Sequence, residues 1–249
     1  MEKVERLTEV LRNLNTPGAA EAVREEARAL LREINPAELS LAEQKLIEEG
    51  VDPQQLRHLC AVHLEVLDDQ LRDVRGRLTP GHVLDTFYRE HDEILHFLDL
   101  LDSVNERIQK EKEYDLANPA YEMLRHLAEH LVAAEKHHAR EEEVLFPELE
   151  KRGITGPPRI MRLEHNDLRP RKHRLLELAE AAPGMEFARL REELAQLTAY
   201  VGFHLRDHIF KENTILYPTA LEVITDDATW AEMKSRCDAI GYCCFTPAH

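Results

Sequence analysis

One pattern of residues occurs twice in the chain, and it constrains the fold more than any other feature. Each copy has a lone histidine followed by a segment of the form H-x-x-x-E. Each such segment then ends on an aromatic residue and a proline, Phe146-Pro147 in the first copy and Tyr217-Pro218 in the second. The repeat predicts two similar helical hairpins related by an approximate two-fold axis. The repeated histidines and glutamates are His91, His137 and Glu141, then His165, His208 and Glu212.

The segments that carry the repeat are predicted to be long helices. Leu, Ala, Glu and Arg dominate the chain, glycine occurs only nine times, and charged residues make up 32%. Such a composition favours an all-α protein of amphipathic helices. Short Gly and Pro connections between long helices predict an up-down-up-down four-helix bundle. The four helices are expected at about 80–111, 118–151, 157–181 and 186–222, with a short one at 227–240.

The chain before the repeat is predicted to form a separate N-terminal helical domain, residues 1–75. Turn signals at Asn15-Thr16-Pro17-Gly18 and at Asn35-Pro36 divide it into short helices, followed by a longer helix at about 53–74. The bundle and its C-terminal helix then occupy residues 76–249. Because both copies of the repeat lie after Thr79, the bundle is expected to contain the whole functional site.

The spacing of the repeated residues points to metal binding. Residues four apart share one helix face, so His137 and Glu141 can aim an imidazole and a carboxylate at one point. His208 and Glu212 do the same from the other hairpin. With the two lone histidines, the bundle gains four imidazoles and two carboxylates, a set suited to two transition-metal ions bridged by the carboxylates. Imidazole suits iron and zinc, and the mixed nitrogen and oxygen set favours redox-active iron.

One difference between the two copies predicts unequal metals. His204 lies one turn before His208, whereas the corresponding residue of the first hairpin is Ala133. We therefore expect His204 to be a ligand and the other ion to keep an open position for a small molecule. His138 is rotated about 100° from His137 on the helix, so it is expected to face solvent. Tyr217 and Phe146 are expected to belong to the apolar core.

The ordered motif of lone His, HxxxE, lone His and HxxxE resembles the hemerythrin-like, HHE cation-binding family over about 80–222. Residues 1–75, with Glu43-Gln44 and Leu59-Cys60, are similar to the uncharacterised domain that often precedes it. The resemblance implies a non-haem di-iron centre with carboxylate and oxo or hydroxo bridges, which binds dioxygen, nitric oxide or a related ligand. The sequence departs from the marine oxygen carriers at Arg169 and Glu212, where they have His and Asp. It is closer to the di-iron proteins linked to iron–sulfur cluster repair.

Three functions remain open on the sequence. The site could bind or sense a diatomic gas, with the N-terminal helices contacting a signalling partner or a second copy. It could be an enzyme that reduces nitric oxide or peroxide, or that donates iron to damaged clusters. It could store or sense iron. The net charge of −16 argues against nucleic acid as a partner. With four cysteines and no long apolar run, a cytoplasmic protein without a membrane span is expected.

Overall fold

The computed structural model describes two main ranges of the chain, 2–14 and 78–247, the second without residue 116. A few single positions between them are also described: 30, 38, 42, 44–46, 49–50 and 75–76. The expected helix at 53–74 and the turn at Asn35-Pro36 lie outside the described residues. So do Cys60 and His63, two residue types that can bind metal. The division into domains at residue 75 therefore stays a prediction.

Four helical rods form the bundle, as predicted, and each packs against its two neighbours in chain order, with the last rod returning to the first. The observed ends lie within about three residues of the expected ones. Helix α1 is Glu2–Leu14, before the bundle, and α9 is Asp227–Ile240, after it. The first rod is α2, Val83–Lys110, and the third is α6, Gly156–Ala181. The second rod contains α3 (Pro119–Ala133), α4 (Glu135–Arg140) and α5 (Phe146–Glu150), and the fourth contains α7 (Phe187–Lys211) and α8 (Tyr217–Val223).

The first rod begins later than the sequence suggests. The Thr79-Pro80 pair lies in a turn, and His82 caps the helix. The Nδ1 atom of His82 accepts the N–H of Leu84 at 3.2 Å. A side-chain acceptor at this position satisfies a backbone donor that the first helical turn leaves without a partner.

The second and fourth rods each contain one π-helical turn, at Glu141–Leu145 and Glu212–Leu216. In both, the glutamate carbonyl accepts the N–H of the aromatic residue five positions later, Phe146 or Tyr217. The proline that follows each aromatic has no N–H to donate and would clash with the carbonyl four residues earlier in a regular α-helix. The wider π-helical turn places each aromatic residue one helical turn after its glutamate along the rod. π-Helical turns are frequent at functional sites.

The apolar core has two parts, one on either side of a polar layer. One cluster packs near the far ends of the long rods around Leu98, Leu124 and Leu194. The other packs around Phe87, Phe146 and the helix α9. Each fully buried apolar side chain contributes roughly 1.5–3 kcal/mol to folding, which holds the rods rigidly around the polar layer.

In the described part of the N-terminal region, Gln44 contacts the start of the third rod. The Oε1 atom of Gln44 accepts the N–H groups of Thr155 and Gly156, at 3.2 and 3.1 Å. A methyl group on Gly156 would lie 2.9 Å from the Cβ atom of Gln44, so a glycine permits this approach. Gln44 therefore caps α6 from outside the bundle. Within the described residues, no helix has both the length and the apolar character needed to cross a membrane.

Candidate metal centre

The four repeated histidines meet in the polar layer as two pairs, one from each hairpin. Their side chains are at most 1% exposed. The rings of His91 and His137 lie 4.6 Å apart, and those of His165 and His208 lie 4.7 Å apart. The Nε2 atoms of His165 and His208 are 2.9 Å apart. Two ligands on one metal, with bonds of about 2.1 Å at a right angle, would be separated by roughly 3.0 Å.

Glu212 lies between the two histidine pairs. Its Oε1 atom is 2.9 Å from Nε2 of His208 and 3.7 Å from Nε2 of His165. Its other oxygen, Oε2, is 3.2 Å from Nε2 of His91. One carboxylate thus turns an oxygen toward each pair of imidazoles.

Glu141 lies between the same pairs from the second rod. Its Oε2 atom is 3.5 Å from Nε2 of His137 and 3.6 Å from Nε2 of His165. Its Oε1 atom accepts a hydrogen bond from the hydroxyl of Tyr217 at 2.7 Å. Both glutamates are 0% exposed, so bulk water does not solvate either carboxylate.

The donor set fits metal cations. Among the described residues, Oε2 of Glu141 and both carboxylate oxygens of Glu212 are buried and accept no hydrogen bond. A buried carboxylate without a partner is costly, and a divalent cation between these oxygens would remove that cost. Burial disfavours the imidazolium of His208, yet the carboxylates of Glu212 and Glu164 outweigh it and raise its pKa to about 10. The same effect of Glu141 and Glu90 raises the pKa of His137 to about 9. The site therefore attracts positive charge.

Two outer carboxylates hold the histidines of the H-x-x-x-E segments. Glu90, next to His91, lies 2.7 Å from Nδ1 of His137, and Glu164, next to His165, lies 2.9 Å from Nδ1 of His208. Burial disfavours their charge, but contacts with histidine and with a buried cation lower the pKa of each to about 2. The buried cations are Arg140 for Glu90 and Lys211 for Glu164. Ionised carboxylates only accept hydrogen bonds, so Nδ1 donates and Nε2 faces the site.

The lone histidines are held across the two-fold axis. Nδ1 of His165 lies 2.7 Å from Oε1 of Glu142, and Nδ1 of His91 lies 2.7 Å from Oδ1 of Asn213. Glu142 and Asn213 each follow a glutamate of the repeat, so each hairpin orients the lone histidine of the other. A carboxylate makes an imidazole a more basic ligand than a carboxamide does, and the two histidine pairs therefore differ in electronic character.

Comparisons with known proteins agree with this geometry. The family described as "Hemerythrin HHE cation binding domain" matches residues 82–220, more than half of the chain. The chain belongs to the hemerythrin HHE cation-binding family. The preceding residues 7–73 match "Family of unknown function (DUF438)". A search of curated proteins gave no match.

His138 was expected to face solvent in this hemerythrin-like bundle, and that expectation is wrong. Its side chain is only 2% exposed, and its ring stacks on His165 with 3.9 Å between centroids. Its ligand atoms lie within 4.8 Å of those of His165 and His208. The buried face of α4 is wide enough to include two successive residues, because the rod is enclosed by the first and third rods and by α9. The sequence-based prediction assumed that the helix buries only the face of His137, and it therefore missed His138.

His204 does not join the groups of potential ligands found among the described residues. It is half-buried, and its ring packs against those of Tyr200 and Phe203, with 4.0 and 5.1 Å between ring centroids. Residues spaced by four drift about 40° per step around a helix, so His204 is turned about 80° from Glu212. The hydroxyl of Tyr200 donates to Asp167.

Three sets of donor atoms converge closely enough to hold a metal ion, each within 4.8 Å. Six of the seven predicted ligands occur in them, and His138 appears in addition. The sets are His91, His137 and Glu212; Glu141, His165, His208 and Glu212; and His138, His165 and His208. His126 and His96 are exposed, and His130 packs against Phe97 and His126 outside these sets.

Proposed function

We propose that the bundle binds two iron ions and takes up dioxygen or nitric oxide at the ion with fewer histidines. One ion would be held by His91 and His137, the other by His138, His165 and His208, with Glu141 and Glu212 bridging them. His138 thus takes the role that the sequence suggested for His204. The iron pair would supply redox chemistry and an open position for a small ligand.

The observation that carries the proposal is the position of Glu212. Its two oxygens approach different histidine pairs, at 2.9 Å from His208 and 3.2 Å from His91. A carboxylate serving one ion would direct both oxygens to the same imidazoles or leave one oxygen to a hydrogen-bond donor. Both oxygens instead lie buried without a donor among the described residues, which supports a bridging role.

The surrounding residues exclude water and fix the donors. Each of the four repeated imidazoles is held at Nδ1 by one side chain: Glu90, Glu164, Glu142 or Asn213. These contacts fix the histidine rotamers, and the Nε2 atoms converge on the site. Ligands fixed in this way lose little entropy on metal binding. Since three histidines serve one ion and two serve the other, a diatomic ligand is expected on the side of His91 and His137.

The test is elemental analysis followed by anaerobic spectroscopy. We expect two irons per chain, and we expect the reduced protein to change its absorption spectrum when dioxygen or nitric oxide is added. Recovery of the reduced spectrum after removal of the gas supports binding or sensing. Steady consumption of the gas or of peroxide would instead identify an enzyme, and transfer of iron to an apo cluster protein would identify a repair function. A single tightly bound zinc would contradict the proposal.

A further inference from the structure

The side of the centre with two histidines contains one further oxygen, the hydroxyl of Tyr217. This residue is 0% exposed, and its ring stacks on that of His91 with 5.5 Å between centroids. Its Oη atom lies 3.4 Å from Nε2 of His91 and 3.4 Å from Nε2 of His137. The three atoms therefore surround one point, and the Oε1 atom of Glu141 lies 2.7 Å from Oη.

We propose that Tyr217 is a ligand of the iron on the side of His91 and His137, bound through its phenolate oxygen when that iron is ferric and not bound when it is ferrous, so that the ferrous iron keeps its open position for a gas. This inference rests on the di-iron function proposed above. On binding, the O–H bond breaks, the proton leaves to solvent, and the oxygen lone pair is donated to iron that is already ferric. Tyrosine holds ferric haem iron in the same way in catalase, so the donor suits the metal.

The two halves of the centre argue for a ligand rather than an ordinary core tyrosine. On the other side, the pair His165 and His208 has His138 as its third donor. The residue that corresponds to His138 in the second hairpin is Ile209, which has no donor atom. Tyr217 brings an oxygen to the side that lacks the third imidazole. Its counterpart Phe146, whose ring lies 6.0 Å from that of His165, has none.

The hydrogen bond to Glu141 does not account for the position of the hydroxyl by itself. A tyrosine that only needed an acceptor could bond to one carboxylate oxygen away from the imidazoles. The neighbouring Tyr88 is an example of a tyrosine with one simple acceptor: its hydroxyl donates to the backbone carbonyl of Asn213 at 3.1 Å. The hydroxyl of Tyr217 instead lies among donors whose separations are close to the roughly 3 Å expected between ligands of one metal.

The experiment uses the full chain loaded with iron and oxidised, with the iron content of every sample measured. Resonance Raman spectra excited in the visible absorption band should contain phenolate ring modes. Tyr217→Phe, which removes one oxygen, should lose the band and the modes completely. Tyr88→Phe, which removes an oxygen from an adjacent buried tyrosine, should retain both. Tyr217→His replaces the oxygen with an imidazole and should hold iron without phenolate modes.

Each outcome decides the question. Two irons with no phenolate modes in the unaltered protein would overturn the ligand assignment and leave the di-iron function standing. Modes that persist in Tyr217→Phe would also overturn it. If Tyr217→Phe loses iron while Tyr88→Phe and Tyr217→His retain it, a donor atom at position 217 is needed for binding and the assignment is supported. A chain that takes up no iron would refute both this inference and the proposed function.

Discussion

At the scale of single residues, the repeat specifies more than its histidines and glutamates. Arg140 and Lys211 precede the two glutamates, Glu142 and Asn213 follow them, and each of these four side chains contacts an outer carboxylate or a lone histidine. The centre is therefore duplicated in both its inner and its outer contacts. The positions where the duplication fails, such as Asn213 in place of a carboxylate, give the two histidine pairs different surroundings.

The two carboxylates that we propose as bridges provide the first prediction. Glu141→Ala and Glu212→Ala should each lose metal, because each removes the charge that lies between two cations. Loss of a metal held at 100 times its dissociation constant lowers the free energy of unfolding by about 2.7 kcal/mol. Iron analysis and thermal melts with and without iron measure both effects. Glu180→Ala, an exposed glutamate on the third rod, is the matched control and should change neither. Full iron occupancy in either bridging variant would contradict the assignment.

His138 and His204 give a second, paired prediction. His138→Ala should weaken binding of the ion near His165 and His208 by about tenfold or more, since even the loss of an outer-shell contact costs about 10–100-fold. His204→Ala should leave iron content and spectrum unchanged, because its ring packs on Tyr200 away from the donor groups. Mössbauer spectra of both reduced variants, with iron titrations, measure the difference. If His204→Ala alone perturbs one iron, the sequence-based assignment was the better one.

The sequence could predict the repeated residues but not the residues that distinguish the two sides. His137 and His208 are recognisable because spacing along one helix decides which face they share. His138 is buried because three neighbouring helices enclose α4, and Tyr217 reaches the imidazoles because a π-helical turn shifts its register. The burial of His138 depends on contacts between helices, which a pattern within one helix does not contain. The proline after each aromatic was the available signal for the shifted register.

At the scale of helices, the second rod is tied to the first by a buried ion pair. Arg140 of α4 is 1% exposed and donates to both oxygens of Glu90 of α2, at 2.6 and 2.5 Å. The residues after α9 complete this contact: Thr246 donates to Glu90, and Cys243 lies 4.0 Å from Arg140. The C-terminal segment thus reaches the carboxylate that orients His137.

This ion pair provides the third prediction. Arg140→Met keeps an apolar stem as long as that of arginine up to Nε but removes the guanidinium, so it leaves the Glu90 carboxylate buried with one partner fewer. Breaking a buried pair from one side costs about 3–5 kcal/mol, and urea unfolding of the metal-free protein should measure a loss of that order. Arg125→Met removes the exposed pair with Glu129 and should cost under about 1 kcal/mol. Equal losses in the two variants would mean that the buried pair does not stabilise the contact between the rods.

At the scale of the whole molecule, the described N-terminal residues stabilise the bundle from outside the metal centre. Gln44 caps α6, whose tenth residue is His165. Arg75 forms an ion pair with Asp92 beside His91, and its guanidinium lies 5.3 Å from the ring of Tyr88. These contacts join the N-terminal region to both lone-histidine helices without supplying a metal donor.

The last prediction follows from that separation. A chain that begins at Leu78 should still bind two irons, because all seven proposed histidine and glutamate ligands, together with Tyr217, lie after it. Its stability should fall, since loss of a helix cap alone costs about 0.5–2 kcal/mol and buried contacts are removed as well. Full-length Gln44→Ala isolates the cap and should lower stability by that amount with iron content unchanged. Iron analysis and urea unfolding of both proteins make the comparison. A shortened chain that folds, by circular dichroism and a cooperative urea transition, yet holds no iron would show that a ligand such as His63 comes from the N-terminal region.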